Sequence, residues 1–423
     1  MPAKHSQDRQ CLLAYLRSPE QFHPFTPQFT LAPQSAFIAA QQEQPVFFSP
    51  VMNMWVVTRY EDLKAVMQDT DTFTSGGSFS APATVSPEAL KVMGGLDHPI
   101  FRYSLVNVDP PAHTRFRNNF QRAFSPRQMS LLEPQIRELI HQLLADLRTH
   151  KRAEVIKTFC DQLPLFTICR LMGVADADAL DIKGWCTDFI RVQSPGLSGE
   201  EQRKIGQSIV DYYDYLLKLV KYYAKHPAEN LISAVIAAQQ QDDDPLSDEE
   251  IAGLTSGLVL AGHETTAALI GNTLYRLLSQ RELWDYFCQH PERCATAIDE
   301  LIRHCGPAIG LFRRTSRDAV LDGVTIPKDS TVWITYLSGN YDSQQFANPE
   351  QLDFSRENAR THLSFGHGIH YCIGAALAKL EIRLVLEELA QHYPSLRLAP
   401  NQTLVPVPNF MLRAYQEMVW EID

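Results

Sequence analysis

The sequence contains no apolar run long enough to cross a bilayer. Its first ten residues, Met1 to Gln10, are polar and lack the apolar core of a signal peptide. No Cys-x-x-Cys pair occurs, and the eight cysteines are scattered without a disulfide-like framework, which suits a reducing compartment. Basic residues are not in excess. Lys and Arg number 38 against 49 Asp and Glu, and the net charge of −11 argues against general nucleic-acid affinity. No internal repeat and no linker divides the 423 residues. What is present is 45% hydrophobic residues, enough for a large core, with charges too dispersed for wholesale disorder. These features predict a soluble cytoplasmic protein forming one domain over 1–423.

The most informative stretch is Phe365-Gly366-His367-Gly368-Ile369-His370-Tyr371-Cys372-Ile373-Gly374. Strong helix formers follow it without a breaker, from Ala375 to Glu381, so Cys372 is expected to open a helix. Free N–H groups and the dipole at a helix start favour a thiolate. The glycines permit a tight loop around the sulfur, and Phe365 can shield one side. A buried thiolate of this kind facing an apolar slot is a good axial ligand for haem iron. Two other readings stand beside it. A single cysteine is commonly a small buried hydrophobe. His367, His370 and Cys372 could bind zinc, although no second ligand cluster at short spacing accompanies them.

Elsewhere, Pro45–Phe48 and Met54–Thr58 read as a β-hairpin, and Tyr60 to Asp69 as a short amphipathic helix. Residues 71–106 are too long for a casual loop. Asp109-Pro110-Pro111 signals a helix start, placing His113 and Arg117 on one face, as a solvated basic patch or an anion clamp. Apolar residues at 132, 136, 139, 140, 143, 144 and 147 form a core stripe. Helical patterns cover 153–171, 175–192 and 200–225, with a turn-rich break at 193–198. Ser247-Asp248-Glu249-Glu250 is a capping box opening a helix to about Ser279. Inside that helix lies Ala261-Gly262-His263-Glu264-Thr265-Thr266. Its glycine is costly, and Thr265 can bond back to the Ala261 carbonyl and bend the helix. An acid and an alcohol at such a weak point could open a cleft for dioxygen and protons. Glu300 and Arg303 are an i,i+3 pair. Residues 320–336 and 394–423 read as strands and turns.

Together these motifs resemble the cytochrome P450 family. The resemblance rests on Phe-x-x-Gly-x-His-x-Cys-x-Gly at 365–374, Ala-Gly-x-Glu-Thr-Thr at 261–266, Glu-x-x-Arg at 300–303 and His-x-x-x-Arg at 113–117. It implies a mainly α fold with a smaller β-rich part, about 40–60 plus 320–336. Haem b is expected between the long central helix and the helix after the cysteine loop. It implies that Cys372 ligates the iron, that Phe365, Gly366 and Gly374 shape the ligand loop, and that Gly262, Glu264 and Thr265 form the oxygen cleft beside Ala261. His113, Arg117, Arg313 and His370 then meet the haem propionates, with Arg314 adjacent to Arg313. Glu300 and Arg303 lock to Arg356, although Leu352 stands where the family often has phenylalanine. Ala308, Ile309, Leu311 and Phe410 are expected to line the substrate pocket, covered by segments 79–103 and 189–205. Arg102 and Arg191 read as solvent-facing rather than as substrate anchors.

The resemblance further implies a monooxygenase that inserts one atom of O2 into a small organic substrate, by hydroxylation or epoxidation, in secondary metabolism or breakdown of foreign compounds. Of the 423 residues only 51 follow Cys372, too few for a fused reductase. Electrons are therefore expected from a separate ferredoxin and ferredoxin reductase, docking at Arg115, Arg122, Lys379 and Arg383, on a monomer. A peroxide-using or hydroperoxide-rearranging relative often lacks the acid–alcohol pair that Glu264 and Thr265 supply. A non-catalytic recruitment domain of the same shape would not need Cys372, Thr265, Glu300 and Arg303.

Overall fold

The structure, a computed structural model, describes residues 22–76, 78, 85–95, 97–124, 126–192, 197–239 and 243–423. In chain order its principal elements begin with β1 (Val46–Ser49), β2 (Met54–Val57), α1 (Tyr60–Gln68), β3 (Phe73–Thr74), α2 (Ala112–Ala123), α3 (Pro126–Leu143) and β4 (Arg152–Glu154). Four helices follow: α4 (Gln162–Met172), α5 (Ala179–Arg191), α6 (Gly199–Lys225) and α7 (Asp248–Leu278). The rest comprises α8 (Cys294–Cys305), β5 (Leu311–Thr315), β6 (Ala319–Leu321), β7 (Val324–Ile326), β8 (Thr331–Ile334), α9 (Ala375–His392), β9 (Arg397–Leu398) and β10 (Val419–Glu421). They fall into two compact units. One contains 22–75, 137–160 and 265–423, and the other 76–136 and 161–264.

The first unit holds all the described strands. Its main sheet has the order β1-β2-β8-β5-β3. The expected hairpin is β1 against β2, with Val46 opposite Val57. β2 runs parallel to β8 and β8 antiparallel to β5, so sequence-distant segments share one sheet. On α1, Leu63, Val66 and Met67 recur at helical spacing and bury against Ile334, Phe346 and Leu363. A second cluster gathers Phe22, Phe29, Phe37, Phe312 and Trp333. A three-stranded sheet, β4-β10-β9, pairs Glu154 with Val419. It corrects the helical reading of 153–171. Residues 152–154 are strand, Ile156–Cys160 is a π-turn, and the α-helix starts only at Gln162. Strand pairing supplied from residues 419–421 overrides the local helical period.

The described elements of the second unit are helices joined by loops, with no strand among its described residues. The expected capping box at Ser247 is present, and the structure adds a second at Ser198. Glu201 N–H donates to Ser198 Oγ and Ser198 N–H to Glu201 at the start of α6. Ser247 and Glu250 exchange the same bonds at the start of α7. Most of the turn-rich break, 193–196, lies outside the described residues. Arg115 on α2 grips α7 through both Glu250 oxygens, at 2.6 and 3.0 Å, and Asp244 at 2.8 Å. That engagement corrects its expected role as a docking cation: its guanidinium is a brace between helices.

Candidate active site

Cys372 does not open the helix as expected. It lies two residues before Gly374, the N-cap of α9, and its N–H is turned back to the Phe365 carbonyl at 2.9 Å. The ten-residue stretch is therefore a closed loop delivering the sulfur to the helix start. Gly366 (φ 70°) and Gly368 (φ 71°) occupy the left-handed region. At Gly368 a Cβ would also stand 2.8 Å from the Met67 carbonyl of α1, so only glycine fits unstrained.

Cys372 is an exposed residue. Every other described cysteine is buried or half-buried. Burial pushes the Cys169, Cys186 and Cys294 thiols up to about 12, holding them protonated at neutral pH. Cys372 is the one exposed residue among the described cysteines, which fits a thiolate-bound cofactor. His367 and His370 do not turn to a shared zinc with it. His367 Nε2 meets Gln68 Nε2 at 3.0 Å, and His370 Nε2 meets Ser75 Oγ at 2.8 Å. Phe365 packs against His362 and Tyr371, with the Lys379 ammonium 5.8 Å from its ring.

Two buried groups sit near this loop. Arg313 on β5 is 3% exposed and donates to the Phe312 carbonyl at 2.8 Å. Tyr336 lies close to the loop at Gly366. Burial pushes its hydroxyl up, the Arg313 charge opposes that, and Cys372 adds to it. Arg313, not the exposed Arg314, is therefore the arginine on the loop side of the sheet. In the other unit His113 is buried beside Phe116 and Phe120 on α2, while Arg117 is half-buried. A solvated basic face does not describe His113.

The Glu300–Arg303–Arg356 lock is present and dry. Arg303 donates Nε and Nη2 to the two Glu300 oxygens at 2.7 and 2.8 Å, and Arg356 Nε donates to Oε2 at 3.0 Å. Asp353 N–H adds a bond to Oε1 at 3.0 Å. Arg303 is 0% exposed and Glu300 2%. The network extends to the cysteine loop through residues that sequence reasoning missed. Arg303 Nη1 donates to the Asn340 carbonyl at 2.7 Å. The Asn340 amide then accepts from Leu363 N–H at 2.6 Å and donates to Ser364 Oγ at 2.7 Å. Ser364 immediately precedes Phe365. An asparagine carries no local pattern that would mark this role.

On α7 the costly Gly262 has a local reason. A Cβ there would lie 3.1 Å from two carbons of Ile168 on α4. Next to it, His263 is buried, with Nδ1 2.9 Å from the Val259 carbonyl. A carbonyl only accepts, so this contact assigns the proton to Nδ1. Nε2 faces Glu264 Oε1 at 3.4 Å. Burial pushes the Glu264 carboxyl up, but His263 and the charge of Lys183 outweigh it, for a net downward shift. Nε2 and the carboxyl thus face one another, next in sequence to the half-buried Thr265. The sequence reading named Glu264 and passed over His263.

The pocket-lining candidates divide. Ile309 belongs to the aromatic core, and Phe410 packs 5.6 Å from the Trp333 ring. Ala308 and Leu311 are half-buried against the core around α1. In the second unit the two covering segments do meet, with Phe101 and Phe189 rings 5.5 Å apart. Arg102 and Arg191 are exposed, in keeping with the solvent-facing reading. Of the remaining docking cations, Lys379 pairs with Asp299 at 2.6 Å and Arg383 with Glu387 at 2.9 Å, while Arg122 is exposed.

A family model described as Cytochrome P450 matches residues 194–286 and 294–416. The chain is 34% identical to a mycinamicin IV hydroxylase/epoxidase of Micromonospora griseorubida, over 82% of this chain and 84% of the relative. It is 31% identical to a vitamin D(3) 25-hydroxylase of Pseudonocardia autotrophica, over 90% and 91% of the two. Among solved structures, cytochrome P450 CREJ in complex with (4-ethylphenyl) dihydrogen phosphate superposes with a TM-score of 0.87. It is 32% identical and covers 96% of this chain and all of its own.

Proposed function

Because the chain belongs to the cytochrome P450 family, whose haem iron is held by a cysteine thiolate, we propose that Cys372 is that ligand in a monooxygenase acting on a small organic substrate. The observation that carries the assignment is the exposed Cys372 in a loop that only glycines can form. We read 1–423 as one family domain, since the family match runs through residues of both units.

When bound, the haem supplies the activation of dioxygen, one atom of which enters the substrate while the other leaves as water. The chain's own residues supply position and protons. The Phe365 carbonyl accepts from the Cys372 N–H and holds its backbone, in a loop that the two left-handed glycines make possible. The propionate roles of His113, Arg117, Arg313 and His370 rest on the sequence resemblance, supported by the burial of His113 and Arg313. Glu264 supplies the acid, with Oε1 3.4 Å from His263 Nε2, and Thr265 supplies the neighbouring alcohol.

Relatives named as a hydroxylase/epoxidase and a hydroxylase support hydroxylation or epoxidation, and the first of them supports a place in secondary metabolism. A ferredoxin with its reductase is the proposed electron donor, and the cytoplasm the proposed location. No described helix is long and apolar enough to cross a membrane. Replacing Cys372→Ala tests the central assignment. The ferrous–CO difference spectrum is expected to lose its thiolate band, and a variant that retained it would overturn the reading.

A further inference from the structure

We propose that His141, Glu388 and His392 form a binding site for a divalent transition-metal ion, zinc by its donor chemistry. Glu388 and His392 are i,i+4 on α9 and so share one face, and His141 approaches from the last turn of α3. His141 Nε2 lies 2.9 Å from Glu388 Oε2, and His392 Nε2 lies 3.4 Å from the same oxygen. The imidazoles are 5.4 Å apart at 69°, and all three donor atoms fall within 4.8 Å of one another. A tetrahedral zinc with bonds of about 2.0–2.1 Å separates its ligand atoms by roughly 3.3 Å, so the observed spacing needs only a small adjustment.

Two imidazoles and one carboxylate are a borderline donor set that suits zinc rather than magnesium or calcium. The carboxylate is already oriented from behind. Arg137 donates Nη1 to Glu388 Oε1 and Nη2 to Glu387, which also pairs with Arg383. Those four charges cancel, and Oε2 is left facing the two imidazoles. A ligand carboxylate held by a second partner is the usual arrangement around a metal. The side chains of His141 and His392 are 40% and 44% exposed while that of Glu388 is 7% exposed, so an ion can enter from solvent and keep water in its fourth position. Glu388 is about 20 Å along the helix axis from Ala375, so the site is separate from the Cys372 loop. A bound ion would clip the end of α3 to the end of α9.

The test is calorimetric titration of the haem-loaded enzyme with zinc chloride in a non-chelating buffer at mildly alkaline pH. One zinc per chain is expected, with affinity falling as the pH drops and the imidazoles protonate. His141→Ala and His392→Ala are each expected to weaken binding by about tenfold or more, while the surface variant His290→Ala leaves it unchanged. Zinc is expected to raise the melting temperature, a chelator to reverse the rise, and the His141→Ala/His392→Ala double variant to lack it. The ferrous–CO spectrum stays that of the parent in every variant, which separates this site from the Cys372 assignment. Absence of stoichiometric binding, or binding that survives the double variant, would overturn the proposal.

Discussion

Glu300→Gln keeps the shape of the side chain and changes the chemistry of one atom. Each Glu300 oxygen accepts two bonds, one from Arg303 and one from either Asp353 N–H or Arg356. Whichever oxygen becomes an amide nitrogen then faces two N–H donors. Two hydrogen bonds are lost, at least one of them charge-assisted, a type that contributes about 1.5–3 kcal/mol. The Arg303 and Arg356 side chains, 0% and 5% exposed, lose their counter-charge. Breaking a buried ion pair from one side costs about 3–5 kcal/mol, and the same range is expected here. Against a total stability of about 5–15 kcal/mol the variant still folds, but with a much larger unfolded fraction. Urea unfolding of the haem-loaded protein, followed by tryptophan fluorescence and by haem absorbance, is expected to show a lower midpoint by both probes. A stability within about 0.5 kcal/mol of the parent, the range of an ordinary surface change, would refute the reasoning. The triple variant Glu300→Leu/Arg303→Met/Arg356→Met removes all three charges together and is expected to recover much of the loss, because the cost lies in stranding the cations.

Three further changes probe neighbouring features. Burial pushes the Glu381 carboxyl well up, so it stays neutral in the fold while the unfolded chain ionises above about pH 4.3. Unfolding is then increasingly favoured as pH rises; Glu381→Gln is expected to be more stable than the parent near neutrality, with a gap that closes toward pH 4 in urea titrations, and a pH-independent gap would argue against this. The His362 imidazole, with Nε2 3.8 Å away, and the Lys379 ammonium at 2.6 Å hold the Asp299 carboxyl well below the usual range despite partial burial. That contribution is present above the ordinary aspartate range, near pH 4, and is lost as pH falls through the folded value, so Asp299→Asn is expected to be the less stable protein at neutral pH and to converge on the parent in acid. Gly368→Ala places a Cβ against the Met67 carbonyl at a left-handed φ and is expected to cost about 1–3 kcal/mol together with haem affinity, measured by haem transfer to an acceptor protein; unchanged retention would count against the strained-loop account.

Features whose partners lie within a few residues were legible in the sequence. The capping box at Ser247, the α1 stripe and the Glu300–Arg303 pair all follow from helical spacing, and the structure places them where that spacing puts them. Features set by distant partners were not. Nothing around Arg152 to Glu154 announces a strand, because the pairing comes from Val419 to Glu421. Arg115, Lys379 and Arg383 resemble free surface cations until their carboxylates come into view. Cys372 misses the helix start because its N–H is captured by Phe365, a bond that helix propensity does not anticipate.

The placement of Cys372 follows from the polar core more than from its own loop. Positive φ at Gly366 and Gly368 makes the loop possible, but glycine is permissive and fixes nothing. What fixes it are two adjacent carboxylates on α8. Glu300 orders Arg303, which holds Asn340, which in turn binds Leu363 N–H and Ser364 Oγ at the loop entrance. Asp299 grips Lys379 one turn into α9, and that ammonium lies near the Phe365 ring. The loop is thus held at its entrance and just past its exit by one helix, while its middle carries the left-handed glycines. A ligand atom must be positioned to within a fraction of an ångström. Here buried, multiply bonded side chains hold the entrance to the loop, so Asn340 and Ser364 are positioning residues as much as the motif glycines are.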